Sequence, residues 1–196
     1  MIDQLITLYR LKDEERSGWL LRGIERPESV ADHSWGTALL CLLYGNRAGI
    51  GTERAVSLAV VHDAAEAITG DHAARYGPDG KVVHAEGKAE REQKAIEELF
   101  PKGNRTTESL QELWKEYELA STPEALFVRD MNLIDMCLQA LIYESESRYN
   151  PEQNQANFPR FRRLDEFFAT SEARLSTDTG RSLFGELRSR YRALTR

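Results

Sequence analysis

The chain has 196 residues, 41% of them hydrophobic and 30% charged. That length supports one substantial core and is short for two, and the composition argues against a disordered chain. The formal net charge of -6 argues against a nucleic-acid polymer as the main partner, while a local basic pocket for a small phosphorylated ligand stays compatible with it.

The two cysteines, Cys41 and Cys137, fall in apolar helical runs and read as buried free thiols. No disulfide framework is expected, which fits a reducing cytoplasm. The start, Met1-Ile2-Asp3-Gln4-Leu5-Ile6, soon becomes charged and lacks the apolar core of a signal peptide. No apolar stretch is long enough to span a bilayer, so no membrane partner is expected.

The periodicity is helical almost throughout. Near 2–12, Ile2, Leu5, Ile6 and Tyr9 share a face. A polar break from Lys12 to Ser17 leads to Trp19-Leu20-Leu21. Ser29 with Asp32 three residues on reads as a helix entry, and that helix should run to about Arg47 and stop at Gly49 or Gly51. Thr52 can cap a helix running to about Thr69 and ending at Gly70. Gly77-Pro78-Asp79-Gly80 spells a turn. A charged helix is expected over about 85–100, closed by Pro101 and Gly103, and another from Thr106 to about Leu119. Thr122-Pro123-Glu124 combines a cap, a proline at the first helical position and an early acid. The helix it opens should reach about Tyr149, before Asn150-Pro151. Two amphipathic helices, about 157–172 and 178–194, follow, with Phe158, Phe161, Leu164, Phe167 and Phe168 on or near one face. No strand, repeat or long flexible linker is evident, so the expectation is one all-α domain over 1–196.

Certain polar residues sit where burial is costly. His62, Asp63 and Glu66 interrupt the run from Ala59 to Ile68. Asp130 has Leu126 and Phe127 one turn before it and Leu133 and Ile134 one turn after. Alone, Asp130 would be read as pairing with a core arginine or capping another helix. His33 lies in the first turn of a helix that then becomes very apolar, and alone would be read as a structural histidine. Together, His33, His62, Asp63 and Asp130 make a four-ligand set for a divalent metal, with positions left for water and substrate. Glu66, one turn past His62, can act as general base or approach the metal. Asp71 reads equally as a loop aspartate. Trp19 could wall off or stack on a base or sugar, or be a core aromatic. Lys88 and Arg91 could meet a phosphate, with a solvated face the simpler reading for Arg91.

The ordered set His33, His62-Asp63, Asp130 resembles the H…HD…D signature of the HD-domain metal-dependent phosphohydrolases. Pro27 to His33 and His62 to Asp71, with Glu66 and Asp71 in an E-x-x-x-x-D tail, are similar to the five-prime-deoxynucleotidase branch. That branch includes bacterial YfbR-type enzymes and the eukaryotic HD domain-containing protein 2 group. Gly18-Trp19 and Met136-Cys137-Leu138-Gln139-Ala140 point to the second group. The likeness covers at least residues 9–146. It implies an HD-domain helical bundle with its metal-site core at about 28–146 and additional C-terminal helices at about 157–194. It implies a metal held by His33, His62, Asp63 and Asp130, with Glu66 and Asp71 assisting catalysis or serving as further ligands. The implied reaction is hydrolysis of a nucleoside 5'-monophosphate, with cobalt, manganese or magnesium as cofactor, in a homodimer.

Two positions depart from the pattern. Gly18 stands where the YfbR-type enzymes carry an arginine before the tryptophan. Asp130-Met131-Asn132-Leu133 has Leu133 where the second group commonly has the lysine of D-x-D-K, so a phosphate would have to find its charge elsewhere. Rival readings are a nucleotide- or metal-binding regulatory module without turnover, and a di-iron oxygenase drawing on His72 and His84.

Overall fold

The computed structural model describes residues 2–76, 82–83 and 85–194. The expected turn at Gly77 to Gly80, and His84, lie outside them. Helix α1 is Ile2–Tyr9, followed by a 3-10 turn at Arg10–Lys12 and a short α2, Ser17–Leu20. The remaining helices are α3 (Val30–Tyr44), α4 (Thr52–Val61), α5 (Glu66–Thr69), α6 (Lys88–Leu99), α7 (Arg105–Leu119), α8 (Pro123–Ser145), α9 (Pro151–Asn157), α10 (Asp165–Glu172) and α11 (Asp178–Leu194). The fold is helical as expected. One two-residue antiparallel ladder, β1 (Arg75–Tyr76) on β2 (Val82–Val83), is the exception among the described residues. It is too short to leave an alternating pattern in the sequence.

The capping chemistry accounts for several boundaries. Ser29 and Asp32 form a reciprocal capping box at α3, and the Thr122 hydroxyl accepts from Ala125 N at the start of α8. Other boundaries differ from the sequence expectation. Asn104, not Thr106, caps α7, its side chain accepting from Thr106 N at 2.8 Å. Gly51 is the N-cap of α4, and Thr52 lies just inside. Helix α8 stops at Ser145, and Asn150 is a beginning rather than an end, accepting from the backbone of Glu152 and Gln153 to cap α9.

The expected helix over 52–69 is broken. Helix α4 ends at Val61, residues 62–65 form a turn, and α5 starts at Glu66. Short i to i+3 bonds, Ala64 N to Val61 O and Glu66 N to Asp63 O, carry the chain through the break. His62-Asp63 therefore occupies an interruption, where helical periodicity no longer fixes the direction of its side chains.

Helix α8 is the axis of the molecule. Ala125, Phe127, Val128, Met131, Leu133, Ile134, Cys137, Ala140 and Tyr143 are all buried, because α3, α4, α7, α10 and α11 pack around it. Each large apolar side chain buried this way contributes roughly 1.5–3 kcal/mol. The C-terminal aromatic stripe joins this core: Phe158, Leu164, Phe167 and Phe168 are buried, and Phe184, Leu187 and Tyr191 of α11 lie in the same cluster as α8. Cys41 and Cys137 are buried free thiols, and burial pushes each up to about 12.

Candidate functional site

The break after α4 and the first turn of α3 bring two histidines together. The His33 and His62 rings lie 5.4 Å apart, both buried, beside Asp63. His62 donates from Nδ1 to the Ala59 carbonyl at 2.7 Å. His33 uses Nδ1 on Asp135 Oδ2 at 2.6 Å. With both Nδ1 atoms spent as donors, each neutral ring keeps its lone pair on Nε2. Those two Nε2 atoms are buried without a hydrogen-bond partner among the described residues, and they face Asp63 Oδ2 at 3.8 Å from His33 and 3.1 Å from His62. One ligand atom each from His33, His62 and Asp63 falls within 4.8 Å of the others. Two imidazole lone pairs and a carboxylate converging on one point fit a divalent cation, and Asp135 behind His33 supplies the carboxylate support such ligands commonly have.

Electrostatics agrees with that geometry. Burial opposes ionisation of Asp63, but His62, His33 and Arg16 outweigh it and hold its carboxyl well below the usual range. Arg16 Nη1 lies 3.5 Å from Asp63 Oδ2 and 3.9 Å from Asp71 Oδ1. Glu66 is the opposite case. Burial first, then the charges of Asp63 and Asp71, push its carboxyl well above the usual range, against the pull of Arg16 and Lys88. Lys88 Nζ is 3.7 Å from Glu66 Oε1, and Glu66 Oε2 is buried without a hydrogen-bond partner.

These groups open into a cavity of about 810 Å³, lined by Arg16, Trp19, Asp63, Glu66, Lys88 and Asn132 among others. That is within the range of about 300–1,000 Å³ common for small-molecule sites. Trp19 forms its inner wall. It is 1% exposed, stacks on Phe167 with centroids 4.0 Å apart, and donates its indole N–H to Glu28. A ring so covered works as a wall and offers no free face to a base. Asp71 is tied down: its Oδ2 accepts from both the backbone N–H and the hydroxyl of Ser17, which fixes the start of α2 and the neighbouring Arg16. Arg91 turns away, donating to the Glu86 carbonyl. His72 lines the cavity, its Nδ1 donating to the Asp71 carbonyl.

Asp130 is a correction. Its oxygens accept from Ser176 N, from Thr177 N at 2.7 Å and from the Thr177 hydroxyl at 2.6 Å. Thr177 in turn accepts from Gly180 N, so Asp130 anchors the N-terminus of α11. The α8 residues that line the cavity are Leu126, Arg129, Asn132, Leu133 and Met136. Asp130 is turned about 100° from that face. The costly carboxylate in the apolar stripe is a helix anchor, the reading the residue suggests when taken alone.

Sequence reasoning missed Arg16, Asn132, Tyr117 and Asp135. Asp135 did carry a signal, a carboxylate between Ile134 and Met136 in the same apolar helix that drew notice to Asp130. Asn132 carried a signal too, since it stands where the D-x-D-K pattern has its second aspartate, whereas Tyr117 raises no such alarm. Leu133 brings no charge to the cavity, but Arg16, Lys88, Arg129 and Arg174 all line it.

A helical bundle with two buried histidines and an aspartate grouped beside a cation-lined cavity fits the class of metal-dependent hydrolases. The HD domain family model matches residues 8–170, and the chain belongs to that family. It is 40% identical over 156 residues to the 5'-deoxynucleotidase hdd1 of Schizosaccharomyces pombe, covering 77% of this chain and 75% of that one. It is 38% identical over 135 residues to the 5'-deoxynucleotidase HDDC2 of Homo sapiens, covering 69% of this chain and 64% of the human one. Among solved structures, the PH0347 protein from Pyrococcus horikoshii OT3 superposes with a TM-score of 0.72 at 31% identity, covering 98% of this chain and 99% of that one.

Proposed function

We propose that this chain is a metal-dependent phosphohydrolase that cuts nucleoside 5'-monophosphates, deoxyribonucleotides foremost, to nucleoside and phosphate. The observation that carries the reading is the pair of orphaned Nε2 atoms of His33 and His62 converging on Asp63 beside a cavity lined with cations. The names of the relatives support the substrate class.

A divalent cation on His33, His62 and Asp63 would supply Lewis acidity, acidifying a water and polarising a phosphoryl oxygen. Arg16 and Lys88 pair with the phosphate oxygens and hold phosphorus over the centre. Glu66, with Oε2 free, accepts the proton of the attacking water. Asp71 positions Arg16 through Ser17. Trp19 and Phe167 wall the side of the cavity where Gly18 leaves room for sugar and base. Hydrolysis of this kind rests on positioning and charge neutralisation more than on covalent chemistry.

The cofactor in this reading is cobalt or manganese, with magnesium as the third candidate, and the chain works in the cytoplasm as a homodimer of one-domain subunits spanning 1–196. The shared hydrophobic cluster of α8 with α10 and α11 supports the single domain. The apolar face of α3, Trp35, Leu39, Leu42 and Leu43, supports the dimer. Among the described residues no helix is long and apolar enough to cross a membrane.

The test is direct. Chelator-stripped protein is given cobalt, manganese or magnesium and assayed for phosphate release across ribo- and deoxyribonucleoside 5'- and 3'-monophosphates. Release from the 5'-esters, lost in Glu66→Gln, is expected. Release no greater than that of Glu66→Gln with every metal would remove the hydrolase reading and leave a nucleotide- or metal-binding regulatory module.

A further inference from the structure

The centre has three ligand residues, which leaves an ion's remaining positions to water, substrate or a further side chain, and Asp130 is engaged elsewhere. Helix α8 still presents a face to the cavity: Leu126, Arg129, Asn132, Leu133 and Met136. Of these side chains, only Asn132 carries an oxygen. Leucines offer no donor, a guanidinium repels a cation, and a thioether is a poor ligand for the hard ions that favour oxygen.

The position of Asn132 is also fixed in a useful sense. Its Nδ2 donates to the Tyr117 hydroxyl at 2.9 Å, and the Tyr117 ring packs edge-on against His62 with centroids 5.0 Å apart. The side chain is thus anchored through Tyr117 beside the His62 ligand. With the amide nitrogen engaged, the carbonyl Oδ1 is the atom left over, and it is the metal-binding atom of an amide.

We propose that Asn132 supplies the next protein ligand of the metal centre through Oδ1, held in place by Tyr117. The inference rests on the metal-site reading above. A neutral amide in this place gives the bound ion one protein carboxylate, Asp63, instead of two. The centre then keeps more positive charge for an anionic phosphate ester and holds its ion less tightly, since ligand charge sets divalent affinity.

Cobalt(II) titration of the stripped full chain by calorimetry, with the visible absorption of bound cobalt as a second readout, separates the alternatives. Asn132→Asp, nearly identical in shape, should bind cobalt on the order of tenfold more tightly. Asn132→Leu should bind on the order of tenfold more weakly, with a changed cobalt spectrum. Asp130→Asn should bind as the parent chain does. A gain in affinity cannot come from misfolding, so Asn132→Asp keeps the test decisive even if another variant is unstable. Parent-like affinity and spectrum in both Asn132 variants would overturn the assignment while leaving the metal site intact. No cobalt bound by the parent chain would overturn the metal-site reading itself and this inference with it.

Discussion

At the scale of residues, the centre depends on hydrogen bonds that leave two imidazole lone pairs pointing one way. Removing Asp63 takes away the one carboxylate between them. Asp63→Ala is expected to abolish cobalt binding and phosphate release together. Added cobalt should then no longer raise its melting temperature, whereas an ion binding only the folded state at a hundred times its dissociation constant stabilises by about 2.7 kcal/mol. Undiminished metal content in that variant would contradict the ligand assignment. A subtler dependence lies behind His33. A Cβ on Gly36 would fall 2.0 Å from Asp135 Oδ1, so only glycine lets Asp135 reach His33 Nδ1. Gly36→Ala should dislodge the carboxylate, free the ring and weaken metal binding by about 10–100-fold. Calorimetry on the folded variant checks this, and parent-like affinity would show that the His33–Asp135 bond has no part in metal binding.

At the scale of elements, Asp130 joins two helices. Three donors at the start of α11 converge on its carboxylate, and a Cβ on Gly180 would lie 2.2 Å from its Oδ2. Asp130→Asn keeps the shape and removes the charge, so it should cost about 1.5–3 kcal/mol, the scale of a hydrogen bond to a charged group. Urea unfolding measures the loss, and parent-like stability would refute the anchoring role. The same element shows what sequence can and cannot reveal. Helix α8, its Thr122 cap and its apolar stripe were legible because capping chemistry and periodicity are local properties. That a buried carboxylate needed a partner was legible too. Which partner was not, because Ser176 and Thr177 meet Asp130 only through tertiary packing. The His62-Asp63 break illustrates the same limit: an Ala-rich run reads as unbroken helix, and nothing local marks the turn over 62–65 that lets His62 hold the Ala59 carbonyl. Histidines and acids in apolar runs led to most of the centre. Arg16, placed in a polar break, stayed hidden.

At the scale of the whole molecule, two apolar helix faces stand exposed among the described residues, Ile2, Leu5, Ile6 and Tyr9 on α1 and a stripe on α3 that includes a tryptophan. On α3, Trp35 is 68% exposed, Leu42 57% and Leu43 58%, with Leu39 between them in helical register. These residues lie on the helix that also carries His33, Gly36 and the capping box, so the opposite side of α3 is committed to the metal centre and the core. An isolated exposed leucine is ordinary, but a tryptophan and three leucines at i, i+4, i+7 and i+8 form a continuous stripe of the kind that oligomer interfaces bury. In a two-fold dimer the same stripe would face itself, which suits a patch with no charged residue among its members. A buried aromatic at the centre of such an interface commonly accounts for 2 kcal/mol or more, roughly, of the association energy. Placing a charge there in Trp35→Lys, and a second in Leu42→Lys, would leave unpaired cations in the interface and should dissociate the proposed homodimer. Light scattering should give twice the chain mass for the parent protein and the chain mass for the double variant. Because neither Trp35 nor Leu42 lines the cavity, the dissociated variant should still bind cobalt with parent affinity. A parent protein that scatters as a monomer at every concentration would instead make the stripe a surface for some other partner.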